Sequence, residues 1–130
     1  MRNLQISLKI KWFEMTKSGI KTEEYREINE YWFKRLMFFD LEYESDFYTN
    51  ADIGQAVSEL ANGCLSVIEE LNLVFKKFNT NIMTLGYPKS TDTDRILKLE
   101  HKGIEIRTGN PAWGAEPDKL YFVILHGAIL

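Results

Sequence analysis

The sequence predicts an α+β fold in which a small curled sheet or barrel of five or six strands is flanked by short helices. One observation is the strict alternation of apolar and polar side chains over residues 4–11, which is typical of a strand with one buried face. Another is that helical spacing is confined to short segments, without the regular strand–helix alternation of parallel sheets. With 130 residues, 45% of them hydrophobic, residues 1–130 have the size and composition of a single domain.

The first part of the chain predicts two strands and two short helices. The first strand covers residues 4–11. Its buried face comprises Leu4, Ile6, Leu8 and Ile10. A short helix over residues 12–18 follows, and Gly19 suits the left-handed position after a helix end. Residues 22–28 predict the second strand, and Asn29 is a suitable N-cap for the second helix.

The remainder of the chain predicts helices first and strands later. Apolar residues from 52 to 75 follow helical spacing that Asn62-Gly63 interrupts, which indicates two helices or one broken helix. We therefore expect a helical insertion at about residues 50–78. Residues 37–50 carry five aromatic side chains among acids and are expected to be packed but irregular. Short apolar segments predict further strands, at residues 82–85, 95–99, 103–107 and 120–125.

Charge and cysteine content restrict the classes of function. The formal net charge of −3 and the pI of about 5.4 exclude a generally basic surface that holds nucleic acid by counterion release. Binding of nucleic acid would need a focused pocket. The single cysteine permits no internal disulfide and is typical of a reducing compartment, so we expect a cytoplasmic protein. No apolar run approaches the roughly 18 residues of a membrane span, and no secretory signal is visible, so no membrane partner is expected.

Neither a metal nor a cofactor is expected. His101 and His126 are isolated in the sequence, and with one cysteine they do not predict a zinc site. The chain has neither a P-loop nor the glycine motif of dinucleotide-binding folds. Cys64 lies beside an apolar helical face, and we expect a buried small hydrophobic residue rather than a nucleophile.

Residues 19–26 concentrate opposite charges where the first helix meets the second strand. On a strand, Glu24 and Arg26 share one face about 7 Å apart, and Lys21 at the turn can reach the same space. Together these groups can hold a phosphate or carboxylate, orient a base edge or perform acid–base chemistry. The alternative is a solvated face with one surface ion pair, worth at most about 1 kcal/mol.

An alternating strand, Trp12 and a short helix precede the segment Gly19-x-Lys21-x-x-Glu24-x-Arg26. In this position the segment resembles the G-x-K-x-x-E-x-R signature of the ASCH domain, a relative of the PUA domain. Further stretches resemble a bacterial and phage-associated branch of that family: Glu30-Tyr31-Trp32-x-x-Arg35-Leu36, Gly86-Tyr87-Pro88-Lys89 and residues 103–117. The resemblance covers about the first 36 and the last 50 residues and leaves the middle, about residues 40–78, unassigned.

The resemblance implies a PUA-like β-barrel whose cleft is lined by the signature residues and binds RNA or a nucleotide. One branch of the family hydrolyses the amide of 4-acetylcytidine with a lysine, a threonine and a glutamate. Lys21 matches that lysine, whereas Glu24 occupies the threonine position. An RNA- or nucleotide-binding module is therefore the first hypothesis, and a nucleoside or nucleobase amide hydrolase using Lys21 and Glu24 is the second.

Four further residues are expected at the rim of this cleft. Tyr87 and Trp113 lie in loops rich in glycine and proline, where aromatic side chains can stack on bases. Arg107 and Asn110 can contact phosphate or a base edge. The alternatives are loop packing for both aromatic residues, in which the ring plugs the end of the barrel, and pairing of Arg107 with Glu105. Trp12 is expected in the core, where it packs the first helix on the sheet. A third hypothesis is a protein partner or a homodimer that uses the apolar stripe of residues 52–75.

Overall fold

The computed structural model describes residues 2–41 and 48–130. The strands in these ranges are β1 (Arg2–Leu8), β2 (Glu23–Glu27), β3 (Met37–Phe39), β4 (Leu73–Phe75), β5 (Phe78–Leu85), β6 (Ile96–Thr108) and β7 (Leu120–Ile129). The helices are α1 (Ile10–Lys17), α2 (Glu30–Leu36), α3 (Asn50–Ala61) and α4 (Val67–Glu70), with single 3₁₀ turns at Thr93–Arg95 and Pro111–Trp113.

Five strands form a curled, half-barrel sheet in the order β1-β5-β6-β7-β2, and β3 pairs with β4 in a small separate ribbon. The pairing of β1 with β5 is parallel, and the other pairs of the large sheet are antiparallel. Strands β1 and β2 therefore form the two edges of the sheet, although they are close in sequence. The α+β class with a curled sheet and short helices is confirmed.

The first strand is shorter than the alternation predicts. It ends at Leu8, and α1 begins at Ile10, whose side chain is 63% exposed instead of buried. Residues 10 and 11 belong to the helix instead of the strand because the helix buries Phe13 and Thr16 on one face. After the helix, Gly19 has φ +83°, the left-handed conformation that the sequence predicts.

The second strand and the cap of α2 follow the prediction closely. Strand β2 spans five residues within the predicted 22–28. The side chain of Asn29 accepts a hydrogen bond of 2.9 Å from the backbone N–H of Trp32, which satisfies a free donor of the first helical turn. The helix then buries Phe33 and Leu36 against the core.

The predicted helical insertion is only partly helical. A capping box between Thr49 and Asp52 starts α3, and the chain turns after it at Gly63 (φ +83°), so there are two helices. The prediction is wrong for residues 73–75, which form β4 and pair with β3, and for residue 78, where β5 begins. Of residues 37–50, the first three form β3, and residues 42–47 lie outside the described part of the chain.

Cys64 and Leu65 also differ from the prediction. Cys64 is exposed, and 44% of Leu65 is exposed, whereas helical spacing predicts both to be buried. The left-handed turn at Gly63 breaks the helical phase, so the residues that follow point away from the apolar face. The apolar side chains face the core again from Val67, which is fully buried in α4.

One long strand, β6, replaces the two strands predicted at 95–99 and 103–107. The intervening residues stay in the ladder, with His101 opposite His126. Register shifts on both sides of His101 take up the extra residues, and Gly103 has φ +124° in this stretch. A bulged strand preserves most of the backbone hydrogen bonds that a loop would give up.

A single cluster of buried apolar side chains connects the sheet with the helices. It contains Leu4 and Phe122 from the sheet, Phe33 from α2 and Leu60 from α3, among others. The apolar stripe of the helical segment is therefore packed on the core rather than presented to a partner. No helix in the described ranges is long and apolar enough to cross a membrane.

We predict that α3 unfolds together with the sheet. Leu60→Ala should lower the free energy of unfolding by about 2–5 kcal/mol because it leaves a cavity at a fully buried position. The matched control Leu65→Ala, at an exposed position, should cost about 0.5 kcal/mol or less. Urea denaturation followed by far-UV circular dichroism measures both. Equal losses in the two variants, or a separate helical transition, would contradict the prediction.

Candidate functional site

Lys21 lies inside the protein, directly before β2. Its side chain has no exposed surface, and Nζ donates to the carbonyl oxygen of Glu23 at 2.7 Å and to Oε2 of Glu24 at 2.5 Å. Burial lowers the pKa of Lys21, and the neighbouring carboxylate of Glu24 acts in the opposite direction. The lysine thus points at a backbone carbonyl and a carboxylate instead of solvent.

Glu24 is held between two cations. Oε2 accepts from Lys21, and Oε1 accepts from Nη1 of Arg26 at 2.9 Å, while the glutamate side chain is only 6% exposed. The interpretation of the charged segment as a solvated face with one surface ion pair is therefore wrong. Removing one member of such a buried set leaves an uncompensated charge, which is far more costly than losing a surface pair.

Arg26 connects the two edges of the sheet. Nη2 donates to the carbonyl oxygen of Ser7 on β1 at 3.2 Å, and Nη1 donates to the carbonyl oxygen of Tyr25 at 2.7 Å. The guanidinium lies 5.2 Å from the ring centroid of Trp32, so it also makes a cation–π contact with α2. About a fifth of the side chain remains exposed to solvent.

Two adjoining depressions meet at Arg26 and Ser7. The first, which we call the cleft, has a volume of about 260 Å³ and is lined by Lys9, Trp12, Glu24, Arg26, Trp113 and Gly114, among others. The second, which we call the groove, has a volume of about 460 Å³ and is lined by Arg26, Tyr31, Trp32, Arg35, Thr84 and Tyr87, among others. Cationic and aromatic side chains thus line both depressions.

The cleft is formed by the two tryptophans that the sequence places far apart. Trp12 is partly exposed and lines the cleft, so the prediction of a core position is only half right. Trp113 ends the 3₁₀ turn opposite it, and Gly114 follows with φ +98°. A Cβ atom on Gly114 would lie 2.9 Å from the Trp12 ring, so only glycine allows this close approach.

Tyr87 lies at the rim of the groove with 94% of its surface exposed. It therefore does not plug the end of the sheet.

The groove also contains residues that sequence reasoning missed as site residues. The guanidinium of Arg35 lies 5.5 Å from the ring of Tyr31 and 5.4 Å from that of Trp32. The helical i, i+4 spacing of Tyr31 and Arg35 was the available signal for this contact.

Arg107 and Asn110 do not line the cleft. The guanidinium of Arg107 pairs with Glu23 and, at 2.7 Å, with Glu105, which agrees with the alternative of pairing with a nearby glutamate. The side chain of Asn110 accepts from the N–H of Ala112 at 2.9 Å and thereby caps the 3₁₀ turn. Both residues support the loop that carries Trp113.

A second polar cluster joins β5, β6 and β7 behind the cleft. Nδ1 of His101 lies 2.7 Å from Oδ1 of Asn81, and Nδ2 of Asn81 lies 2.8 Å from Nδ1 of His126. The amide therefore accepts from one imidazole and donates to the other. The two histidines are neighbours rather than isolated, although the described residues contain no group of three or more ligands that could hold a metal. Burial lowers the pKa of His126 to about 4.

The chain matches no protein-family model, no curated protein and no solved structure.

We predict that Glu24→Gln destabilises the protein by about 3–5 kcal/mol because it leaves the buried ammonium of Lys21 without a compensating charge. Glu105→Gln, in an exposed pair with Arg107, should cost less than about 1 kcal/mol. The double variant Lys21→Met/Glu24→Gln should recover part of the loss, since it removes both charges. Urea denaturation compares the three proteins. A double variant less stable than Glu24→Gln would show that charge compensation is not the cause.

We predict that stability falls as the pH is lowered from about 6.5 to 4. The pKa of His126 is about 4 in the folded protein, below the 6.5 of an unfolded histidine, so the unfolded chain binds more protons in this window. At about 1.4 kcal/mol per pKa unit, the loss from this residue approaches about 3 kcal/mol. Unfolding free energies measured across the window should depend less on pH in His126→Gln. An unchanged dependence would assign the effect to other groups.

Proposed function

We propose that the chain binds a nucleotide or a short single-stranded RNA across the cleft and the groove, as an ASCH-type module with a PUA-like fold. The observation that carries the proposal is the position of Arg26. Its partly exposed guanidinium lies at the junction of the two depressions, with tryptophans on one side and the Tyr31–Trp32 pair on the other. Cations interleaved with aromatic rings are typical of single-strand binding surfaces.

The chemistry of the two depressions suits the parts of a nucleotide. Lys9, Arg26 and Arg35 present positive charge along the surface, where phosphate oxygens can be held by charge-assisted hydrogen bonds. Tyr87 offers an exposed ring and Trp113 a partly exposed one, and bases can stack on both at about 1–3 kcal/mol per base.

Within this proposal the three charged residues of the signature have different roles. Lys21 is buried and does not touch the ligand; it neutralises and orients Glu24. Each carboxylate oxygen of Glu24 has a lone pair beyond the one it uses for Lys21 or Arg26, so the carboxylate can also accept from a base amino group in the cleft. Arg26 alone of the three bridges the sheet edges and reaches both depressions.

The net charge of −3 is compatible with such a focused site. Among the described residues that line the cleft and the groove, Glu24 has the only carboxylate, and two cations compensate it. The local charge is therefore positive in an otherwise acidic protein. Such a distribution favours a short ligand over a long duplex, because a duplex would also meet the acidic surroundings.

An amide hydrolase is the second candidate. The 2.5 Å contact between Lys21 and Glu24 and the lowered pKa of Lys21 favour it, since shifted lysines beside carboxylates occur in active sites. The burial of Lys21 opposes it, because a substrate in the cleft meets Glu24 before it can meet Nζ. Incubation with 4-acetylcytidine and chromatography for cytidine separates the two candidates: turnover that Lys21→Met abolishes would establish the hydrolase.

We predict that Tyr87→Ala and Trp113→Ala each weaken binding of a fluorescein-labelled uridine hexanucleotide by about 5- to 150-fold, as expected for the loss of one stacked base. Tyr87 is almost fully exposed, so its removal should leave the melting temperature unchanged. Fluorescence anisotropy at low salt measures the Kd.

The matched control is Tyr48→Ala, an exposed tyrosine that lies outside both depressions and stacks on Phe39. It should bind the hexanucleotide within about twofold of the wild type. Equal weakening in Tyr48→Ala and Tyr87→Ala would reject the groove as the binding site, and an absence of binding by the wild type would reject the proposed function.

A further inference from the structure

A third depression lies beyond the groove, on the β3–β4 ribbon. It has a volume of about 530 Å³ and is lined by Arg2, Phe38, Val74, Phe75, Lys76 and Lys77. Phe38, in the lining of this depression, is 41% exposed. We call the three cations around this ring, Arg2, Lys76 and Lys77, the basic patch.

The positive charge of the patch is not compensated within the described residues. None of its three cations pairs with a carboxylate there. Burial lowers the pKa of Lys76, and the charges of Arg2 and Arg35 lower it further, so these cations lie close enough to repel one another. An anion bound among them would relieve that repulsion.

Helix α2 connects the patch to the groove. Tyr31 and Trp32 line the groove from its first turn, and Arg35 lies one turn further along. Nζ of Lys76 donates to the carbonyl oxygen of Lys34 at 2.6 Å, at the end of the same helix. The positive charge of the groove therefore continues through Arg35 to Lys76, and the described residues that line the two depressions include no acid.

We propose that the basic patch holds the phosphate backbone of a single strand as it leaves the groove, with Phe38 as a further stacking platform. This inference rests on the proposed function and extends it: the ligand is an oligonucleotide rather than a free nucleotide. The exposed ring among three cations favours a nucleic acid over an acidic peptide, because bases offer a face for stacking whereas carboxylate side chains do not.

The test compares two lengths of fluorescein-labelled oligouridylate, a trinucleotide and a dodecanucleotide, by fluorescence anisotropy at several salt concentrations. Arg2→Gln/Lys77→Gln should weaken dodecanucleotide binding at least fivefold and leave trinucleotide binding within twofold. The slope of log K against log salt should decrease in magnitude by about 1.4, which is about 0.7 for each phosphate that the variant no longer neutralises. The control Lys17→Gln/Lys102→Gln makes the same change in net charge away from the patch and should change neither Kd by more than twofold.

The outcomes distinguish the two proposals. If Tyr87→Ala weakens trinucleotide binding while Arg2→Gln/Lys77→Gln behaves like its control, the groove is the site and the patch inference is overturned. If neither length binds to the wild type, or Tyr87→Ala has no effect, the proposed function fails, and the patch inference fails with it. Displacement of the dodecanucleotide from the patch by a glutamate dodecapeptide at equal concentration would overturn the assignment of a nucleic acid.

Discussion

The curled sheet is open between its edge strands, and the backbone groups of such edges need partners or water. Arg26 spans the opening: Glu24 holds its guanidinium on β2, and the guanidinium donates to the carbonyl oxygen of Ser7 on β1. Glu24 can remain buried there because Lys21 balances its charge from the other side. This chain of three charged side chains determines the position of the cleft, its junction with the groove and the spacing of the two edge strands.

This arrangement divides internal support and solvent exposure between two residues of the same motif. Lys21 has no exposed surface and compensates the buried charge of Glu24, whereas Arg26 combines the contact to β1 with partial exposure to solvent. A guanidinium suits that position because its planar set of five donors can satisfy carbonyl and carboxylate groups and still present N–H groups outward. The aromatic residues on either side of this charge are Trp113, which lines the cleft, and Trp32, which lines the groove.

Sequence reasoning succeeds where the determining interactions are local. The cap at Asn29 and the turn at Gly19 depend on a few neighbouring residues, and both were predictable. It fails where a distant partner decides: residues 73–75 become a strand because β3 is available to pair with them, and Arg107 is drawn to Glu23 from another strand. The composition of the cleft was predictable in part, as the signature residues and Trp113 show. The groove was missed because Tyr31, Trp32 and Arg35 are individually ordinary on a short helix, and only the fold places them in one depression with Arg26 and Tyr87.

The parallel pairing of β1 with β5 and the pairing of β2 with β7 join the beginning of the chain to segments synthesised much later. The cleft follows the same division, since Lys9 and Trp12 come early and Trp113 and Gly114 come late. Contacts between such distant segments form slowly, because a large loop must close before they contribute. During translation, the signature residues therefore leave the ribosome long before any strand exists to hold β2. The nascent chain has no such cleft until β7 has emerged, so the cleft is a property of the completed fold alone.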